Sequence, residues 1–167
     1  MVDINRIILD VAYENKCSHL GSYFTAAPII DNIFKNKKEE DIFILSSGHA
    51  AIALYAAIEK YYGIKASDLF AKHGGHPHRD EKNHIYCSTG SLGMGITVAI
   101  GRALANPTRD VYVLLSDGEC AEGSVWESLR FIYDHGIKNI KVHVNANGYA
   151  AYDSVDTRYL VDRLKVF

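Results

Sequence analysis

The sequence predicts an α/β domain layered around a mainly parallel sheet, and three stretches predict it. Val111–Leu115 (V-Y-V-L-L) is a short apolar run of β-formers that gives way to a glycine turn at Asp117-Gly118. Ser124 and Glu127 form an S-x-x-E capping box, and Val125, Leu129 and Ile132 recur at helical spacing until Gly136 stops the helix. Lys141–Val144 then reads as a second strand, ending at Asn145, Asn147 and Gly148. A right-handed crossover lays that strand parallel to the first.

The remaining elements follow in order. Asp3 caps a first helix whose inner face is Ile4, Ile7, Ile8 and Val11, ending near Asn15. His19 and Gly21 fall in a loop between helices, and Thr25–Phe34 is a short helix or turn. The lysine- and glutamate-rich run after Phe34 reads as a solvated connection to a strand at Asp41–Leu45. His49 opens a helix that runs to Gly63, and its alanines (Ala50, Ala51, Ala53, Ala56 and Ala57) allow close packing against another helix or subunit. Lys72–His84 reads as a polar loop. It holds four of the eight histidines, but their spacing matches no zinc pattern and no cysteine flanks them. Cys87–Gly95 is a glycine-rich entrance to a helix closed near Pro107, and Asp156–Phe167 is a last helix with Leu160, Leu164 and Phe167 on one side.

At 167 residues the chain is read as one domain, 1–167, long enough to bury a core. A net charge of −2 offers no basic surface for nucleic acid or a membrane. Cys17, Cys87 and Cys120 are scattered, without a CxxC pair, as expected in a reducing compartment. The amino terminus lacks the regions of a signal peptide, so the expected location is cytoplasmic.

Asp117 sits where a strand of a parallel sheet ends, facing the crevice that such sheets use for ligands. Asn147, thirty positions on, falls at the end of the second predicted strand, beside it if the strands pair. One carboxylate and one amide oxygen, next to glycines that permit close backbone approach, suit Mg²⁺ or Ca²⁺ held jointly with a diphosphate. The alternative is a polar turn and a polar strand end. His49 at a helix start, and Gly90, Gly93 and Gly95 at another, lie where backbone N–H groups favour an anion.

Five motifs in order resemble the transketolase family in its amino-terminal half: His19-x-Gly21, Gly48-His49-Ala50, Gly75-His76-Pro77, S-T-G-S-L-G-x-G over residues 88–95, and Asp117-Gly118-Glu119 with Asn147. The resemblance covers nearly the whole chain. It implies a three-layer thiamine-diphosphate-binding fold, with Mg²⁺ (or Ca²⁺) held by Asp117, Asn147 and the backbone carbonyl of Tyr149. It implies a cofactor-binding set of His49, Gly90, Ser91, Leu92, Asp117, Gly118, Glu119, Glu122 and Asn147, with Glu122 near a subunit interface. His19, His49 and His76 are the implied catalytic histidines, with His49 at the cofactor diphosphate and His19 and His76 facing a sugar or sugar-phosphate substrate.

Three positions depart from the family pattern. Ser116 stands for the first glycine of G-D-G, Asn145 for the aspartate of D-x-N, and His78 for an acidic residue after G-H-P. The pyrimidine-binding domain of the family is absent from the sequence and is expected on a separate chain, in a homodimer or heterotetramer. The expected function is that of one subunit of a split transketolase-like enzyme, inactive alone, that moves a two-carbon ketol unit between sugars. The alternatives are a non-catalytic scaffold or regulatory subunit, or a subunit of another thiamine-diphosphate carboligase or decarboxylase.

Overall fold

A computed structural model describes residues 3–167. Three strands, β1 (Ile42–Leu45), β2 (Val111–Ser116) and β3 (Ile140–Asn145), pair in parallel in the order β1-β2-β3. Ile42, Val111 and Ile140 stand abreast, so the carboxyl ends of all three strands open on the same edge of the sheet.

Side-chain alternation along the strands divides the molecule into three layers. Phe43, Leu45 and Leu114 point to one face and are covered by α1 (Ile4–Glu14), α2 (Leu20–Asn36), α3 (Ala51–Tyr62) and α4 (Ala66–His73). Ile42, Ile44, Val111, Val113, Leu115 and Ile140 point to the other, against α5 (Gly95–Ala105), α6 (Gly123–Asp134) and α7 (Thr157–Leu164). The architecture is the expected α/β arrangement with a parallel sheet.

The first helix begins at its expected cap, where the Asp3 carboxylate accepts from Asn5 N at 3.0 Å. α3 is buried on all sides from Ala51 to Ile58: its four alanines, and Ala50 just ahead of it, are within 1% of full burial, and they let α1, α2 and α4 close in around it. Its fully buried Ile52, Ile58 and Leu54 contribute on the order of 1.5–3 kcal/mol each by leaving water.

Four local expectations need correction. α2 starts at Leu20, a turn and a half before Thr25, and carries Pro28 in its interior. Gly21, Ser22 and Pro28 are weak helix formers, so the helix is held by burial of Tyr23, Ala26, Ala27, Ile30 and Ile33 rather than by propensity. Lys72 and His73 belong to the last turn of α4, because Ala66, Leu69 and His73 share its buried face. The S-x-x-E pair at Ser124 and Glu127 is not a capping box: α6 already begins at Gly123, and the Ser124 hydroxyl donates to Gly93 O at 3.0 Å. The last helix is shorter than expected, with Asp156 as its cap and Leu164 as its end.

Candidate functional site

The motif loops meet at the carboxyl ends of the strands. Ser46–Ala50 leaves β1, with Gly48–Ala50 forming a 3₁₀ turn ahead of α3, so His49 stands in that turn rather than in the helix itself. Gly118–Ala121 forms a second 3₁₀ turn after β2, and Ala146–Tyr149 leaves β3. The loops are packed backbone to backbone. A Cβ on Gly48 would lie 2.7 Å from the carbonyl of Thr89, and one on Gly95 would lie 2.6 Å from Ser46 Cα.

On one side of the crevice stand the histidines. His19 is the exposed N-cap residue of α2, with no capping bond from its side chain, and its ring lies 5.8 Å from that of half-buried His49. Burial lowers the His49 pKa, and the neighbouring charges of His19 and His76 lower it further. His76 lies against Gly90, where a Cβ would come within 3.2 Å of the imidazole and the backbone holds a φ of +153°. The loop carrying His76 is fastened behind it. Asp80 accepts from Lys72 Nζ at 2.6 Å, Asn83 Nδ2 at 2.6 Å and the His73 ring at 3.2 Å, and those bonds, Lys72 first, hold its carboxyl down at about 2. The Tyr55 hydroxyl donates to Gly74 O at 3.1 Å. His78 is exposed, 6.3 Å ring to ring from His73.

On the other side lie the carboxylates and amides. Asp117 is buried, and its two oxygens accept from Gly118 N at 3.0 Å and Gly148 N at 2.6 Å. The end of β3 is thus drawn onto the end of β2, and Asn147 is brought beside Asp117. The Asn147 carbonyl oxygen accepts from Tyr149 N at 3.0 Å. Both Asn145 and Asn147 donate their Nδ2 to the same hydroxyl, Thr25 Oγ1, at 2.9 and 3.2 Å, and that hydroxyl in turn donates to Gly21 O at 2.8 Å. A hydroxyl has one proton and two lone pairs. With its proton on Gly21, Thr25 needs a donor at both other positions, which an amide at 145 supplies and an ionised aspartate cannot. The departure at Asn145 is therefore matched to Thr25.

Ser116 is likewise accommodated. Its N–H donates to Glu119 Oε2 at 2.9 Å and its Oγ accepts from Glu119 N at 3.2 Å. This reciprocal S-x-x-E pair is the capping box of the 3₁₀ turn. Ser116 has a negative φ, so the position needs no glycine.

The structure therefore gathers His19, His49, His76 and Gly90 on one side, and Asp117, Gly118, Asn147 and Tyr149 on the other. Gly90 and Ser91 are exposed in their loop, and Leu92 is half-buried. Glu122 is exposed at the start of α6, and a Cβ on Gly93 would meet its Cβ at 2.9 Å. Glu119, expected to contact the cofactor, is fully buried with both oxygens occupied by donors from Ser46, Gly93 and Ser116. Burial pushes its carboxyl upward in pKa, opposed by those hydrogen bonds. Thr25 and Ser46 were missed by sequence reasoning. A polar residue inside a helix and a serine after a strand carry no local signal of their distant partners.

Asp117 and Asn147 present hard oxygen donors, and the two bonds accepted by Asp117 leave free lone pairs on its carboxylate. Among the described residues no three His, Cys, Asp or Glu side chains cluster to hold a metal. That donor set fits a magnesium ion that takes one carboxylate from protein and further oxygens from a diphosphate and water.

An α/β crevice of glycine-rich loops, one acidic strand end and three imidazoles defines a class of proteins that hold a phosphorylated cofactor at the edge of a parallel sheet. The family described as "Transketolase, thiamine diphosphate binding domain" matches residues 1–163, and the chain belongs to that family. It is 38% identical over 120 residues to transketolase-like protein 2 of Bos taurus, a match covering 65% of this chain and 19% of that protein. It is 27% identical over 160 residues to an apulose-4-phosphate transketolase subunit of Phocaeicola vulgatus, covering 84% and 57%. It is 33% identical over 125 residues to a 6-deoxy-6-sulfo-D-fructose transketolase subunit of a Clostridium species, covering 69% and 46%. The aligned region thus spans between 19% and 57% of these relatives. Among solved structures, a transketolase mutant of Pichia stipitis in complex with fructose 6-phosphate superposes with a TM-score of 0.74 at 21% identity, covering 98% of this chain and 29% of that one. This likeness carries the fold. No helix among the described residues is long and apolar enough to cross a membrane.

Proposed function

We propose that this chain is the diphosphate-binding subunit of a split transketolase-like enzyme, which transfers a two-carbon ketol unit between sugars together with a pyrimidine-domain partner. The observation that carries the reading is that the histidine-bearing segments and the Asp117–Asn147 segments are fastened together at the carboxyl ends of the strands, through Thr25 to Asn145 and Asn147 and through Ser46 to Glu119. In this reading Asp117, Asn147 and the carbonyl of Tyr149 hold Mg²⁺, while His49 and the amides around Gly90 hold the diphosphate. When bound, thiamine diphosphate supplies a nucleophilic carbon and an electron sink. His19 and His76, both exposed, hydrogen-bond sugar oxygens and serve as proton donors and acceptors to them. Burial, with the nearby His19 and His76, favours the neutral form of His49 as a hydrogen-bonding partner.

Two relatives are named as transketolase subunits, which supports a division of the enzyme between chains and a dependence of activity on the partner. The unpaired thiols Cys17, Cys87 and Cys120 suit a reducing, cytoplasmic setting. Ser116 and Asn145 are the sequence features that would favour a scaffold without chemistry. Both take part in complementary hydrogen bonds that leave Asp117 and Asn147 in place, so neither supports that reading. The test is product analysis. The chain mixed with a pyrimidine-domain partner, thiamine diphosphate and Mg²⁺ should convert a ketose and an aldose into the pair exchanged by two carbons, and neither chain alone should do so. Release of CO₂, or no product with a partner that binds, would contradict the proposal.

A further inference from the structure

Glu119 is fully buried where three of the motif loops touch. Its Oε1 accepts from Ser46 Oγ at 2.6 Å and from Gly93 N at 2.9 Å, and its Oε2 accepts from Ser116 N at 2.9 Å. The three donors belong to three different segments of the chain, Ser116 being the last residue of β2. Ser46 precedes His49, Gly93 follows Gly90–Leu92, and Ser116 precedes Asp117.

Two of the donors are backbone N–H groups, which cannot turn into acceptors. The side chain at 119 must therefore offer an acceptor oxygen at both of its terminal positions, as a carboxyl group does and an amide does not. A glutamine in either orientation sets an NH₂ against a backbone N–H, and an aspartate is one methylene short. The surroundings leave no slack to compensate. A Cβ on Gly95 would lie 2.5 Å from Ser46 Oγ, and one on Gly93, where φ is +75°, would lie 2.5 Å from Ser124 Oγ.

We propose that Glu119 is a positioning residue: a buried carboxyl group that cross-links the segments carrying His49, Gly90–Leu92 and Asp117 and fixes their relative placement without touching the ligand. Ser116 completes the link through its capping box, which gives a serine a use at that position. The part of the inference that concerns affinity rests on the cofactor reading above; the cross-link itself does not.

The experiment measures amide hydrogen exchange by NMR, and calorimetric binding of thiamine diphosphate with Mg²⁺, on the full chain with its partner. The proteins compared are wild type, Glu119→Gln, Glu119→Asp and Ser116→Gly. Glu119→Gln should speed exchange at Gly93 and Ser116 about tenfold or more, the effect expected from leaving a buried backbone donor without its acceptor. Val113 and Leu114, inside β2, should exchange as in wild type. The dissociation constant should rise about tenfold, Glu119→Asp should not restore it, and Ser116→Gly should produce a smaller change confined to residues 116–119.

Unchanged exchange at Gly93 and Ser116, or acceleration spread evenly through the sheet, would overturn the cross-link. Local acceleration with unchanged affinity would overturn the positioning role. If Glu119→Gln does not fold, Ser46→Ala carries the test. Loss of one donor should speed exchange at Gly93 about threefold, and wild-type exchange there would refute the link. Failure of the wild-type protein to bind thiamine diphosphate would refute the cofactor reading, while the exchange pattern still decides the cross-link.

Discussion

The two sides of the crevice are built on opposite principles. On the acidic side Asp117, Glu119, Asn145 and Asn147 are tied by short hydrogen bonds to backbone and to one another's neighbours, and three of the four are buried. On the histidine side His19 and His76 stand exposed, and burial and neighbouring charge, rather than any hydrogen bond, account for the lowered pKa of His49. The acidic side is already organised before a ligand arrives, whereas the histidines are left free for one. In the proposed function, charge is held on the preorganised side and protons move on the side of the free imidazoles.

This contrast predicts where a substitution will be felt. Asp117→Ala should have the largest effect. It leaves Gly118 N and Gly148 N without their acceptor in a buried place, costing about 1–3 kcal/mol of stability, and it should abolish Mg²⁺-dependent cofactor binding. Thermal unfolding and titration calorimetry on the same sample would check both. Gly48→Ala should come next, since its Cβ meets the Thr89 carbonyl at 2.7 Å and backbone must move. An overpacking cost of about 1–3 kcal/mol is expected in denaturant unfolding.

Thr25→Val keeps the side-chain shape but removes the hydroxyl shared by Asn145, Asn147 and Gly21. It should weaken Mg²⁺-dependent binding about tenfold, and Asn145→Asp should be harmful beside Thr25 but milder in the Thr25→Val background. Additive effects in that double-mutant cycle would break the proposed match. On the histidine side, His19→Ala and His76→Ala should lower turnover while shifting stability by about 0.5 kcal/mol or less, as for surface positions. A large stability loss in either would erase the contrast.

The smallest effect is in pH. The folded-state pKa of His49 is lowered, so the unfolded chain binds its proton more readily. Stability from this group is fully present above the ordinary value of 6.5 and is lost as pH falls through the lower folded value. His84 and His143 are shifted in the same direction, so the difference between wild type and His49→Asn isolates the contribution. Unfolding temperature followed downward from pH 7 should fall more steeply in wild type than in the variant.

Sequence patterns reached the fold where burial is local. The spacing of Ile4, Ile7, Ile8 and Val11 marks α1 because that helix has a single buried face, and the run at 111–115 marks β2 because both of its faces are covered. They failed where distant packing decides. α2 is nucleated against a core that its own glycine, serine and proline do not announce. The S-x-x-E spacing occurs at both 116–119 and 124–127, and nothing local says that the first is the capping box while the second meets Gly93. Of the site, the motif residues were visible as a resemblance. Their fastening was not: Thr25 lies 120 positions from Asn145, and a glutamate beside a glycine turn looks solvent-exposed until Ser46 is brought in from 73 positions away.

The most direct test of the account is calorimetric titration of thiamine diphosphate into this chain, alone and with a pyrimidine-domain partner, with and without Mg²⁺, beside Asp117→Ala and His76→Ala. The account predicts saturable, Mg²⁺-dependent binding that tightens with the partner. Asp117→Ala should lose that binding, and His76→Ala should largely keep it. Absence of binding in the wild-type complex, or binding indifferent to both Mg²⁺ and Asp117, would contradict it.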